Sequence, residues 1–471
     1  MITFVLICVW FVLAYFIALH ALYLFLIIIG ALQVRRYQKG ITFAEFERIA
    51  ASDLTMPVSV IIPIFNEESI AVATVQNALA LNYPKHEVIV VDDGSTDKTM
   101  AELVEAFRLF RVEKQGQKHI PTREVLGSYG SVEHPNLLVV TKENGRRGDA
   151  INAAVAVSKY PLLCVIDADC VLESDGLLHM ARPFLRDSKL AASAGVVRPS
   201  NGLQLKGGRI VGQGLPKSLL GLSQEIEYAR SFQWARIGLC RLQSMLCISG
   251  ALLLIKKSVF EAVGGSWPNA ITDDIEFTIR LNKHIHDRRR DRTQHLEFTP
   301  DAVCYTEVPE KFRQYASQRN RWQRGTLQAL LRNWKMMLNP RYGMSGLFGM
   351  PFFLIFEAFS AIVELLAYML IPVTLILGLA GAWEIALMLY AAYITGVCLT
   401  LSAILLSETG RLRAASWQDF WKMIAAVFLD NLGFHQWHLI NRVLGTFQYL
   451  ILRRTDMGLH MERLSPNTAT P

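Results

Sequence analysis

Hydrophobic positions along this chain fall into three regimes. From Ile2 to Leu32 they run almost without a break, with His20 the main polar exception. In the middle they form short β-rich runs separated by amphipathic stretches, and from about Gly346 they lengthen again. A helix as long as the first run exceeds the ~30 Å hydrocarbon core, so it is expected to tilt or to continue into the interface. It lacks a basic n-region and is too long for a signal h-region, which predicts a retained anchor. Arg35, Arg36 and Lys39 behind it place the next domain in the cytoplasm by the positive-inside tendency.

The last regime predicts one span over Phe352 to Leu379, with Pro372 as its kink, and a second over Trp383 to Leu406 after a short turn at Ala380 to Ala382. Glu357 and Glu364 are seven residues apart and share a helix face; acids are costly in lipid, so they should point into protein, an aqueous path or the interface. Arg411 and Arg413 return the chain to the cytoplasmic side. Phe420 to Leu452 carries Asp430, Asn431, His435, His438, Asn441 and Arg442, too polar for lipid, and predicts an interfacial or re-entrant helix pair.

In the middle regime, Val58 to Ile62, Val88 to Val91, Leu137 to Val140, Leu162 to Ile166 and Leu252 to Ile255 read as buried strands. Ala71 to Leu81, Lys98 to Phe110, Ala150 to Val157 and Ser174 to Phe184 read as helices between them. That βαβ rhythm predicts a mostly parallel sheet, whose ligands bind beyond the carboxyl ends of the strands. Polar clusters stand at those ends: Pro63 to Glu67 (with Asn66) after the first strand, Asp92 to Asp97 after the second, and Asp167-Ala168-Asp169 after the fourth. Each alone is explained by turn and cap chemistry. Three at successive strand ends would converge on one crevice.

Lys142 to Asp149 is a loop opening a helix, with glycines and cations suited to an anion, but it has neither P-loop nor G-x-G-x-x-G spacing. Thr272-Asp273-Asp274 precedes another helical run. Asp273 and Glu276 could form a capping box, or a carboxylate could be held toward the cleft to take a proton from a hydroxyl. Gln318, Arg321 and Trp322 sit at i, i+3 and i+4 on one face of a basic helix: the Arg fork suits a diphosphate and the indole suits a sugar ring.

Composition narrows the partners. The chain is 52% hydrophobic and 19% charged with a formal charge of +7, which is not the profile of a nucleic-acid binder. Its basic clusters, at Arg35 to Lys39 and from Arg319 to Arg324, suit anionic lipid or phosphate. The seven cysteines contain no C-x-x-C pair, and reduced cytoplasmic thiols fit best. His284 and His286, beside the charged run from Asp287 to Arg292, read as a solvated loop rather than a zinc site.

Taken in order, these motifs resemble the family 2 glycosyltransferases, specifically the membrane-embedded synthases of cellulose, chitin, hyaluronan and poly-N-acetylglucosamine. The resemblance runs from about Pro57 to Trp322 and includes the flanking anchors. It implies a GT-A nucleotide-sugar domain, an α/β fold flanked by transmembrane helices. It also implies this division: an anchor over 1–34, a linker over 35–56, the catalytic domain over 57–335, an interfacial helix and two spans over 336–410, and interfacial helices and a tail over 411–471. Carried over to this chain, Asn66, Glu67, Asp92, Asp93, Arg147 and Asp167 look like donor-binding residues. Asp169 looks like the ligand of Mg²⁺ or Mn²⁺, Asp274 like the base, and Gln318, Arg321 and Trp322 like the acceptor and diphosphate platform. Two departures stand out: Arg147 falls where the family often has Lys in N-G-G-K-A, and Asp273-Asp274 replaces Glu-Asp.

The resemblance implies a multi-pass protein of the plasma (inner) membrane, with its catalytic domain cytoplasmic. It would transfer sugar from a UDP-sugar, with inversion, to a growing β-linked polysaccharide and could pass the product through its own helices. About three spans are thin for a closed pore, so a second copy or an export partner could complete the path. The alternatives are single-sugar transfer to a lipid carrier or glycolipid and, more remotely, a non-catalytic scaffold or transporter. Gly202 to Arg241 and His284 to His295 match no motif.

Overall fold

A computed structural model describes residues 2–39, 55–114, 116, 120–287, 294–408 and 417–456. Arg411, Arg413, most of the 35–56 linker, residues 288–293 of the charged insert and the tail from 457 lie outside the described residues. The strands are β1 (Val58–Ile64), β2 (His86–Asp92), β3 (Leu109–Val112), β4 (Val125–Ser131), β5 (Leu137–Lys142), β6 (Leu162–Val165), β7 (Cys170–Leu172), β8 (Leu190–Pro199), β9 (Gln204–Lys206), β10 (Arg209–Gly212), β11 (Leu253–Lys256) and β12 (His295–Thr306). Strands β9 and β10 pair as a separate ribbon. The others form a ten-stranded sheet in the order β3-β4-β5-β2-β1-β6-β11-β8-β12-β7, which is the centre of the molecule.

The parallel sheet expected from the βαβ rhythm is present in the central four strands, β5-β2-β1-β6. Around that centre the sheet is mixed. Four pairings are parallel and five antiparallel, because β4 and β11 run against their neighbours and β3 and β7 are turned back at the edges. Leu252 to Ile255 reads as a continuation of the parallel series; as β11 it lies antiparallel to both β6 and β8. The helix expected over Lys98 to Phe110 ends at Phe107, where Arg108 adopts a left-handed φ of 47°, and Leu109 and Phe110 open β3.

Strand periodicity sorts the core. In β1, Ile61 faces one layer while Val60 and Ile62 face the other. One layer holds the helices Ala71–Leu79, Thr99–Phe107 and Gly176–Arg186. The opposite layer holds Arg147–Val157 and Asp273–Asp287 together with Leu26 and Ile27 of the N-terminal helix α1 (Ile2–Lys39). The long apolar helix is therefore packed into the α/β domain rather than merely tethered to it.

Glycines allow that packing. An added Cβ at Gly238 would lie 2.5 Å from the Leu26 carbonyl oxygen, and one at Gly30 2.9 Å from the Trp234 carbonyl oxygen. At the far end of α1, Tyr37 donates to Asp301 at 2.5 Å and lies under the Arg182 guanidinium, 4.8 Å from its ring.

Among the described residues two helices are long and apolar enough to cross a membrane, Ile2–Gln38 and Ala382–Leu405, and the pair Ser345–Ala358 plus Ser360–Ile376 could form a third span bent by 41°. The bend falls at Phe359, between π-helical backbone and the next helix, and not at Pro372 as the sequence suggests. Four stretches carry π-helical turns among the described residues: Tyr228–Trp234, Ser345–Gly349, Phe353–Ala358 and Asp430–Phe434.

Gly238→Leu tests the glycine contact. Overpacking there should cost ~1–3 kcal/mol and lower the thermal midpoint of the detergent-solubilised protein, followed by intrinsic fluorescence. An unchanged midpoint would show that α1 does not need this close approach.

Candidate functional site

The carboxyl ends of β1, β2 and β6 stand side by side, since Ile64 registers with Asp92 and Ile61 with Val165. The loops that leave them form the floor of a cavity of ≈ 1410 Å³. Asp93, Asp167, Asp169, Asp273 and Asp274 line it, as do Glu67, Arg147, Gln318, Arg321 and Trp322. Of the residues singled out from the sequence for this site, only Asn66 and Asp92 stand behind its wall. Asn66, at a left-handed φ of 55°, accepts from the Thr96 amide at 2.8 Å, and Asp92 accepts from the Ser95 amide at 3.1 Å. Both pin the loops that carry Glu67 and Asp93.

The cations are as ordered as the acids. Lys142 is fully buried, 2.7 Å from Asp93 and 2.6 Å from Asp149, and the Gly145 amide adds a bond to Asp93 at 3.0 Å. Arg147, the first residue of the helix Arg147–Val157, donates through Nε to Asp167 at 2.7 Å and through Nη2 to the Gly250 carbonyl at 2.9 Å. Its Nη1 pairs with Asp273. Burial works against this charge, yet Asp167 and Asp273 outweigh it and hold Arg147 above its ordinary range.

Asp273 is therefore spent on Arg147, while Glu276 holds Arg280 Nε at 2.8 and 2.9 Å, so both acids act away from the capping box considered for this helix start. Asp274 faces the cavity with a different set of neighbours. It accepts from the Ile275 amide at 2.8 Å, and the Cys247 thiol lies 3.8 Å from its other oxygen. Burial, and then the charge of Asp273, hold its carboxyl above the usual carboxylate range. Burial and the Asp274 charge push the Cys247 thiol up to about 12.

Gln318, Arg321 and Trp322 lie on the helix Phe312–Arg332 with their side chains on the cavity. Among the described residues no hydrogen bond or ion pair ties Arg321. Burial pulls its guanidinium below the ordinary range against the opposing pull of Asp274, Asp273 and Asp167. It is a half-buried cation suited to an anionic group.

The other arginines of this basic stretch do not serve lipid or phosphate as the sequence suggests. Arg319 pairs with Glu227 at 2.5 Å, and Arg324 donates to the Asp456 carbonyl at 2.8 Å and its carboxylate at 3.3 Å. Sequence reasoning misses Lys142, Glu227 and Arg319 as site residues. Lys142 and Arg319 each sit inside a motif that stands out locally, whereas Glu227 carries no local signal.

The cavity does not stop at these residues. It continues along Phe16, His20 and Tyr23 of α1, past Glu357 and Glu364, to His435 and Arg442 of the helix His435–Leu450. Tyr23 donates to Glu357 at 2.5 Å and His435 Nε2 lies 2.8 Å from Glu364, so both acids are held within protein.

Carboxylates gathered at strand ends and an uncommitted arginine beside them make a site suited to an anionic ligand and a divalent ion, opening among apolar helices long enough to cross a membrane. A family model described as glycosyltransferase like family 2 matches residues 56–325, and one described as chitin synthase matches residues 282–441. The chain belongs to glycosyltransferase family 2.

It is 27% identical over 276 residues to a poly-beta-1,6-N-acetyl-D-glucosamine synthase of Staphylococcus epidermidis, covering 59% of this chain and 56% of that one. It is 29% identical over 270 residues to the synthase of the same description from Staphylococcus aureus strain COL, covering 57% and 54%. The match thus spans about half the length of these relatives. A solved mannosyltransferase from Pyrobaculum calidifontis, in complex with GDP-Man and Mn²⁺, aligns over 90% of this chain and 99% of its own at 19% identity, with a TM-score of 0.48.

The Asp274 environment predicts a pH signature. An acid whose folded pKa is raised keeps a proton that the unfolded chain has lost, so stability falls as pH rises from the ordinary carboxylate value through the raised one. Asn cannot ionise. The melting temperature of Asp274→Asn should therefore gain on wild type across that window and hold its lead above it, while turnover falls by ~10²–10⁴. Parallel melting curves against pH, or near-normal turnover, would refute this assignment.

Proposed function

We propose that this protein is an inverting, UDP-sugar-dependent transferase that extends a β-linked polysaccharide and feeds it along its membrane helices. The observation that carries this reading is the single cavity joining the acid cluster to Glu357, Glu364 and His435. A site for one sugar needs no polar path that far into apolar helices. In this reading the catalytic domain lies at 57–335 in the cytoplasm, with the anchor before it and the spans after it.

Glu67 and Asp93 bound the donor pocket, and Asp92 and Asn66 fix its loops. Arg321 faces the diphosphate. Asp274 takes the proton from the acceptor hydroxyl as that oxygen attacks the anomeric carbon opposite the leaving nucleotide; its raised pKa makes it a stronger base than an exposed carboxylate. Trp322 offers an indole to the acceptor ring and Gln318 an amide to its hydroxyls.

The residues present suit a divalent ion. Ligand atoms of Asp167, Asp169 and Cys170 lie within 4.8 Å of one another. Mg²⁺ and Mn²⁺ are hard cations that prefer oxygen to a thiol, so the two carboxylates are the suited donors. Asp167 also serves Arg147, and in this reading Asp169 is the principal ligand of the carboxylate pair. Such an ion supplies charge neutralisation to the diphosphate leaving group. The names of the staphylococcal relatives favour N-acetylglucosamine as the sugar.

Purified protein incubated with labelled UDP-glucose, UDP-N-acetylglucosamine, UDP-glucuronate and UDP-galactose should consume one of them, UDP-N-acetylglucosamine foremost, and yield products that lengthen with time. Single-residue addition at every time would replace polymerisation by transfer to a lipid carrier or glycolipid, and no donor turnover would sink the transferase reading. Asp169→Ala should weaken Mn²⁺-dependent donor binding by about tenfold or more, a loss of ~1.4 kcal/mol, measured by calorimetry; unchanged metal dependence would remove Asp169 from the ligand set.

A further inference from the structure

The segment from Gly202 to Arg241, which matches no motif, lines the cavity with several residues, among them Glu227, Tyr228 and Arg230. Its helix Leu219–Glu227 starts at Ser218, whose hydroxyl accepts from the Gly221 amide at 3.1 Å, and is fastened by Gln224, which donates to the Pro309 carbonyl at 2.8 Å. Glu227, at the last turn, pairs with Arg319 at 2.5 Å.

Arg319 is 1% exposed, and three further contacts fix it. Its guanidinium lies 4.5 Å from the Tyr315 ring and 4.2 Å from the Trp322 ring, its i−4 and i+3 neighbours on the helix. Its Nη1 donates to Gln318 Oε1 at 2.7 Å. That bond takes the amide oxygen and leaves the NH₂ as the end of Gln318 available to the cavity. The stacked guanidinium covers one face of Trp322 and fixes the plane of the indole. Burial opposes the Arg319 charge, but Glu227 and then Tyr315 hold it above its ordinary range, so the guanidinium stays charged.

We infer that Arg319, oriented by Glu227, is the positioning residue of the acceptor platform, setting the indole plane of Trp322 and the amide direction of Gln318 for a saccharide. The inference rests on the transferase reading above. It accounts for the otherwise unexplained segment, because Glu227 supplies the counter-charge without which a buried arginine could not be kept behind the platform. A lysine could keep the charge but not the planar stack or the second donor, so charge and geometry can be separated by substitution.

The test uses the full chain in lipid nanodiscs, with UDP and a β-1,6-linked N-acetylglucosamine tetramer as binding probes and product length as a third measurement. Arg319→Met and Glu227→Gln should lose saccharide affinity by about tenfold or more, the loss expected when stacking and fork contacts go, and should make shorter products. UDP affinity, which also reports folding, should stay near that of wild type. Arg319→Lys should fall between wild type and Met, and Glu227→Asp should restore most of the affinity.

Wild-type saccharide affinity and chain length in both Arg319→Met and Glu227→Gln would overturn the inference. Equal loss of UDP and saccharide binding would overturn it too, by reducing the pair to structural support. Failure of the wild-type protein to bind UDP would instead refute the transferase reading itself. A wild type that binds UDP but neither binds the tetramer nor extends a polymer would refute the acceptor platform alone.

Discussion

Five carboxylates on one cavity wall repel one another, and the arrangement around them is organised by that repulsion. At ~4 Å and an effective dielectric near 20, two like charges cost about 4 kcal/mol, so Asp93, Asp167 and Asp273 cannot converge without counter-charges. Lys142 and Arg147 supply them from within the fold. Lys142 ends β5 and Arg147 begins the next helix, so the short loop between them sets two cations against acids from three other loops. Among the described residues Asp274 has no cation at bonding distance, and burial with the charge of Asp273 raises its pKa.

The same logic recurs around the membrane-side helices at a larger scale. Glu357 and Glu364 are tolerable among apolar helices because Tyr23 and His435 meet them inside the protein. Those partners come from the first and the last of the described helices, so the polar interior is assembled by elements far apart along the chain. The anchor therefore contributes to the cavity itself, with Phe16, His20 and Tyr23 on its wall.

Much of this is legible locally. The buried runs of β1, β2, β5 and β6 announce themselves by composition, and the polar residues that end them fall where a parallel sheet gathers its loops. What local pattern cannot supply is pairing. Nothing in Leu253 to Lys256 distinguishes an antiparallel strand from a parallel one, because its apolar run is buried on both faces either way. Glu227 is one acid in an unremarkable helix, and only its distance to Arg319, 92 positions away, gives it meaning. Pro372 draws attention as a helix breaker, while the actual bend arises at Phe359 from backbone turns that no single residue type marks.

Three of the four π-helical stretches border the cavity, through Tyr228, Arg230, Phe356, Glu357, Asp430 and Phe434. A π-turn amounts to one residue inserted into an α-helix, and each insertion rotates everything beyond it by about 100°. Glu357 and Glu364 reach the same wall only after such an offset, so the seven-residue spacing that paired them on a straight helix is not what brings them together. Loss of a single residue at any of these turns would leave composition and hydropathy almost untouched and yet swing an entire polar face toward lipid. The facing of this lining therefore depends on the exact number of residues in each turn, and not only on which residues fill it.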